Sequence, residues 1–156
     1  MDPVQRMLIE HECRNLTVRY CQHLDHLDPD GFASIYTEDA VYKPAVEPVP
    51  IEGREAIRAW IGRYPKDRLG RHIATNQIVD VIDADNAKGT SYAIVFREPA
   101  PQEGVISSRV MPRSLVEYTD TYRRTEEGWK IARRFYRFDF LDAEETRRPG
   151  ETGAPR

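Results

Sequence analysis

The chain reads as an α+β fold: a curved antiparallel sheet packed against about three N-terminal helices. Three observations predict it. Apolar residues of the N-terminal part recur at three- and four-residue steps, the helical period. After residue 70 the pattern changes to segments rich in β-branched and aromatic residues. Those segments come in pairs separated by short turn sequences, which marks antiparallel hairpins.

The first helix is expected from Gln5 to Leu27, with Ile9, Cys13, Leu16, Tyr20, Leu24 and Leu27 on one stripe. Asp28-Pro29-Asp30-Gly31 breaks it. Asp28 then suits the N-cap of a second short helix running to about Tyr36, with Pro29 at its first position. Ala40 to Lys43 suits a short strand, and the three prolines from Pro44 to Pro50 a loop. A third helix is expected from Arg54 to Tyr64, where Ile57, Trp60, Ile61 and Tyr64 share a face.

His72–Asp83 and Lys88–Arg97 form the first predicted hairpin; Ser114–Thr125 and Trp129–Phe140 form the second. The connection from Pro99 to Pro112 is long enough for a lid or an interface arm. Residues 1–142 are expected to be one domain, and 143–156 a flexible charged tail. A bent sheet and its helices would enclose a small-molecule pocket.

At 156 residues the chain can build a core without disulfides or metals. The net charge of −3, from 23 basic and 26 acidic residues, argues against nucleic acid and anionic membranes as partners. No apolar run is long enough to span a bilayer, and the N-terminus lacks a basic-then-apolar leader, so a cytoplasmic location is expected. Cys13 and Cys21 lie two turns apart on one helix, roughly 12 Å along its axis, too far for a mutual disulfide. His23 and His26, near Asp25 and Asp28, could in principle hold a metal, but no further ligand cluster stands out and a solvated surface is the preferred reading. No phosphate loop, nucleophile elbow or HExxH motif is present.

Four residues could carry chemistry. On helical periodicity Asp25 points away from the apolar stripe and reads as a solvated carboxylate. Tyr20 lies on the stripe, either a core aromatic or a pocket hydroxyl. His72 opens a strand; beside a carboxylate it would become a base able to move protons near neutral pH. Arg134 falls in a row with Ala132, Tyr136, Phe138 and Phe140, where it would pair with a structural acid or clamp a substrate oxyanion.

Several segments together resemble the SnoaL-like branch of the cone-fold superfamily that contains scytalone dehydratase and ketosteroid isomerase. They are Arg19-Tyr20 with Leu24-Asp25 and Asp28; Phe32-Ala33 through Tyr42; Gly53-Arg54-Glu55-Ala56-Ile57; Arg71-His72; and Glu117-Tyr118-Thr119-Asp120 through Ile131. The resemblance covers roughly Met7 to Phe140. It implies a cone with an internal pocket and reverses the reading of Asp25, because in such folds the first helix ends at the cavity. Asp25 and His72 look like the Asp–His pair of scytalone dehydratase, bile-acid dehydratase and hexachlorocyclohexane dehydrochlorinase. Tyr20 and Arg134 resemble a tyrosine and an arginine of the bile-acid enzyme, and Arg134 also resembles the arginine of the dehydrochlorinase. Tyr42 resembles a substrate-contacting tyrosine. Arg97 and Tyr118 stand where scytalone dehydratase has a histidine and an asparagine, which argues against the same substrate.

The expected function is therefore a cofactor-independent lyase of the dehydratase type, with Asp25, His72, Tyr20 and Arg134 catalytic. Tyr42, Trp60, Tyr118 and Arg97 are assigned to binding a hydrophobic, polycyclic, polyketide-like or steroid-like substrate. An isomerase or cyclase using the same pair is the alternative, as is a non-catalytic binding module or accessory subunit. A homo-oligomer is expected, a trimer first and a dimer second.

Overall fold

The computed structural model describes residues 1–98 and 101–143. Its elements run α1 (Pro3–Asp25), α2 (Pro29–Ser34), β1 (Tyr36–Lys43), β2 (Ile51–Glu52), α3 (Arg54–Gly62), β3 (Leu69–Val81), β4 (Asn86–Glu98), β5 (Ser114–Thr125) and β6 (Gly128–Leu141). The strands form one sheet in the order β2-β1-β6-β5-β4-β3. The tail from residue 144 lies outside the described residues, as do Pro99 and Ala100.

α1 begins on a cap: the Asp2 carboxylate accepts the Gln5 N–H at 3.3 Å, with Pro3 in the first turn. Ile9, Cys13, Leu16, Tyr20 and Leu24 are buried as the stripe predicts, joined by Thr17 and Cys21. Leu27 is not on the stripe. It sits beyond the helix end in the left-handed region (φ 52°), and the Asp28 N–H closes the turn onto His23 O at 2.9 Å. That tight exit puts Asp28 where it can cap α2 through the Gly31 N–H, also at 2.9 Å. A Cβ at residue 31 would lie 2.1 Å from His23 Nδ1 and 2.2 Å from Asp28 Oδ2, so any side chain there would have to push these two groups aside.

α2 stops at Ser34, earlier than the sequence suggests, because β1 begins at Tyr36 and is already paired there. β1 runs parallel to β6, with Tyr36 opposite Ile131 and Tyr42 opposite Arg134, so the sheet is mixed. All other strand pairs are antiparallel. The two-residue β2, which pairs with β1, has no sequence signal of its own.

Register shifts bend the sheet. β3 and β4 slip between Thr75 and Ile78, where Asn76 takes φ 51°. β5 and β6 slip twice, between Leu115 and Val116 and between Thr121 and Tyr122. The second slip places the extra residue Ala132 between Ile131 and Arg133. Inward residues of β6 are therefore Trp129 and Ile131 before it, then Arg134, Tyr136 and Phe138 after it. The single alternating row expected from Ala132 to Phe140 is thus broken at its start, and the first slip, whose extra residue is Asp139, turns Phe140 out, 72% exposed. The core lies between the bent sheet and the helices: α1 crosses β3, while Phe32, Ile57, Trp60 and Ile61 of α2 and α3 pack around Tyr36 and Tyr42.

Past residue 100 the connection turns back along β4. Ser107 donates to Glu98 at 2.8 Å, Arg109 pairs with Glu98 at 3.3 Å, and the Arg113 N–H reaches Val95 O at 2.7 Å. No helix among the described residues is long and apolar enough to cross a membrane.

Candidate active site

Asp25 is the last residue of α1, and His72 is the fourth residue of β3. The helix end brings the two together across 47 positions of sequence: Asp25 Oδ1 lies 2.6 Å from His72 Nδ1, and Oδ2 accepts the His72 backbone N–H at 2.9 Å. Their side chains are only 8% and 7% exposed. A carboxylate accepts and cannot donate, so Nδ1 carries the proton and the Nε2 lone pair is left for chemistry. His72 lines a cavity of about 40 Å³; Asp25 stands behind it.

The cavity wall is aromatic and hydroxyl-rich. Tyr20 from α1 and Tyr42 from β1 share a hydrogen bond of 2.9 Å between their hydroxyls. Tyr118 of β5 and Tyr136 of β6 are cross-strand neighbours with ring centres 5.9 Å apart. Burial raises the pKa of Tyr20, Tyr42, Tyr118 and Tyr136, so all four hydroxyls remain protonated donors over any physiological range. Leu24, Val95, Val116 and Phe138 supply apolar surface. Arg97 reaches the cavity from β4, as do Tyr64 and Arg68 from the segment between α3 and β3.

Two expected site residues stand elsewhere. Arg134 is fully buried behind the wall, with its guanidinium carbon 4.3 Å from the Tyr20 ring centre and 4.5 Å from that of Tyr118. It forms a bidentate pair with Asp120, Nε to Oδ1 at 2.8 Å and Nη2 to Oδ2 at 2.6 Å, and Nη2 also donates to Thr17 Oγ1 at 2.8 Å. Tyr122 donates to the same Asp120 carboxylate at 2.8 Å. Burial would lower the Arg134 pKa, but the charge and hydrogen bonds of Asp120 outweigh it and hold the pKa well above its ordinary value. Arg134 therefore pairs with a structural acid and does not form part of the cavity wall. The second misplaced residue is Trp60. It packs edge-on against Tyr42 and Tyr64, and its indole N–H donates to Glu47 at 2.7 Å, tying down the proline-rich loop.

Arg68, Tyr64 and Tyr136 had no sequence signal marking them for the cavity. The Asp120–Arg134 pair was more accessible, since the two are directly opposed across the β5–β6 hairpin once the bulge at Ala132 is known. His23 and His26 are held separately, His23 by Asp28 at 2.9 Å and His26 by Gln22 O at 2.7 Å. No group of three His, Cys, Asp or Glu side chains that could hold a metal occurs among the described residues.

Larger grooves lie on the outside of the molecule, including one of about 570 Å³ beside Asp39, Tyr122 and Arg133. They are more open than the cavity beside His72, and no histidine lines them.

Residues 5–135 match the SnoaL-like domain family. No curated protein sequence matches. Among solved structures, a Mycobacterium tuberculosis protein of unknown function, determined as an aspartate-to-asparagine variant, is 27% identical with a TM-score of 0.73, covering 99% of this chain and 86% of that one. A candidate scytalone dehydratase from Novosphingobium aromaticivorans is 19% identical, TM-score 0.73, covering 99% and 100%. A hexachlorocyclohexane dehydrochlorinase from Novosphingobium barchaimii is 17% identical, TM-score 0.72, covering 99% and 100%. The last two likenesses are of fold. The match over most of its length shows that this chain belongs to the SnoaL-like domain family.

Proposed function

We propose that the chain is an acid–base enzyme acting on a small molecule in this cavity, a lyase of the dehydratase type that uses its own side chains alone. The observation that carries the reading is the 2.6 Å contact between Asp25 and His72, with His72 on the cavity wall. His72 Nε2 removes a proton from carbon next to a carbonyl, and Asp25 stabilises the imidazolium formed. The electron pair of the broken C–H bond forms the new double bond as the C–O bond to the leaving hydroxyl breaks. His72 returns its proton to that hydroxyl, which departs as water. The Tyr20–Tyr42 hydroxyl pair donates to the carbonyl oxygen, where negative charge develops. Arg134 works at one remove: it fixes the Tyr20 and Tyr118 rings and keeps positive charge beneath them. Tyr118 and Arg97 contact substrate from the wall, and Trp60 orders Tyr42. Without a leaving group the same pair would isomerise its substrate, and with an internal electrophile it would cyclise it.

The test is turnover of β-hydroxy ketones, followed as enone absorbance, and deuterium exchange beside the carbonyl. His72→Gln should lower both by about 10²–10⁴-fold with an unchanged circular dichroism spectrum. Full activity in that variant would remove the assignment.

Assembly into a homo-oligomer, a trimer first and a dimer second, is part of the proposal. Ile73, Ile78 and Phe140 leave apolar surface exposed on the sheet, and Ile106 on the connection to β5. Light scattering across a dilution series tests it; a monomer at all concentrations would overturn it.

A further inference from the structure

We infer that the substrate carries a further hydroxyl group on the side away from its reacting carbon, and that Ser114 binds it. The inference rests on the acid–base reading above for which carbon reacts, but the hydroxyl site stands on its own geometry.

Register places Ser114 in the cavity wall. Val95 of β4 lies directly opposite His72 of β3 on one side and Ser114 of β5 on the other. Residues paired across antiparallel strands point to the same face, so the three form one inward row at one level of the cavity, with His72 and Ser114 at its ends. Two strand spacings put the Cα atoms of His72 and Ser114 roughly 10 Å apart. The imidazole takes up part of that span, which leaves room for about one ring between His72 Nε2 and the serine hydroxyl.

The surroundings of Ser114 are unusual for a hydroxyl. Only 7% of the residue is exposed, and its side chain makes no hydrogen bond among the described residues. Its neighbours on the wall are Val95 on the next strand, Val116 two residues along its own, and Phe138 opposite Val116. None of these side chains can donate or accept. Withdrawing a hydroxyl from water without a partner is unfavourable, and alanine would occupy the position without that cost. The hydroxyls of Tyr20 and Tyr42, by contrast, satisfy each other. Ser114 offers the cavity both a donor and an acceptor, which matches a hydroxyl group, itself both.

With His72 at the reacting carbon and the Tyr20–Tyr42 pair at the carbonyl oxygen, Ser114 gives the substrate a third fixed point, and three points set its orientation. The substrate class is a hydroxylated cyclic ketone. The cavity of about 40 Å³ holds only a few waters as it stands, so a ring enters as the wall yields. Among the lining residues Tyr64 and Arg68 lie outside helices and strands, and the segment between α3 and β3 is the part of the wall least fixed by backbone pairing.

The experiment is calorimetric titration with two pairs of ketones that differ by a hydroxyl in place of a methyl: 4-hydroxycyclohexanone against 4-methylcyclohexanone, and 6-hydroxy-1-tetralone against 6-methyl-1-tetralone. The proteins are wild type, Ser114→Ala and His72→Gln, each also melted. In at least one pair the hydroxy ketone should bind wild type about fivefold or more tightly than its methyl counterpart. Ser114→Ala should abolish that preference and melt no lower than wild type, whereas His72→Gln should keep it. Equal binding within both pairs, no binding at millimolar concentration, or a preference that survives Ser114→Ala would overturn the inference. A lowered melting temperature in Ser114→Ala would also overturn it, since the hydroxyl would then serve the fold. A preference lost only in Ser114→Ala, alongside turnover unaffected by His72→Gln, would instead remove the acid–base reading and leave the hydroxyl site standing.

Discussion

The carboxylate of Asp25 holds His72 at two points, Oδ1 on ring Nδ1 at 2.6 Å and Oδ2 on the backbone N–H at 2.9 Å. One side chain at a helix terminus thus sets both the tautomer of the imidazole and the position of the strand carrying it. An asparagine can satisfy only one of those demands as an acceptor. In Asp25→Asn, with the amide nitrogen facing Nδ1, the ring must accept there and present Nε2–H to the cavity. Turnover should fall about 10²–10⁴-fold, and the ¹⁵N shifts of His72 should report the exchanged tautomer. An unchanged tautomer with unchanged turnover would contradict the assignment.

The Asp120–Arg134 pair has no exposed side-chain surface. Removing one partner leaves a buried charge without its counterion, so Asp120→Leu should destabilise the fold by about 3–5 kcal/mol in urea titrations. The double variant Asp120→Leu/Arg134→Met should be more stable than Asp120→Leu alone, because the stranded charge is gone. The opposite order would show that the pair contributes little beyond its packing.

Cys13 and Cys21 are free and buried on α1, and burial pushes both thiols up to about 12. At pH 8 only about one in ten thousand would be thiolate, the form that reacts. Ellman's reagent should find no reactive thiol in the native protein and two in denaturant. Rapid native labelling would mean that α1 opens readily from the sheet.

Asp28 links the first two helices, and the Gly31 N–H, with His23 beside it, holds its carboxyl below the ordinary value near 3.9. A depressed folded-state pKa means stability that is present above the unfolded value and lost as pH falls through the folded one. Asp28→Ala should cost about 1 kcal/mol at pH 7, mostly from the lost cap, since the carboxylate is 44% exposed and its ion pair is screened. The gap between variant and wild type should narrow as pH falls below 4, the region where Asp28 protonates. A gap that widened with acid would reverse the sign of the linkage.

The helices and hairpins were legible in the residues because their causes are local. The Ile9–Leu24 stripe needs only its own spacing to form, Asp28 and Pro29 mark a helix start, and the turn residues between strands specify antiparallel neighbours. The candidate pair was legible only through family resemblance. Periodicity puts Asp25 on the solvent side of α1, and in an isolated helix it would be there.

What the sequence determined by itself is therefore the order and kind of the elements and the types of side chain available for chemistry. The tertiary structure decided where those side chains went. Parallel pairing of β1 with β6 joins segments about 90 residues apart, which no local pattern records. The bulge at Ala132 shifts the inward face of β6 by one residue and aims Arg134 at Asp120, and the bulge at Asp139 turns Phe140 outside. Burial of Asp25 follows from α1 ending against β3, and the passage of Arg68 and Arg97 to the cavity from the bend of the sheet. Each depends on long-range packing whose free energy outweighs the local preference of the residue concerned.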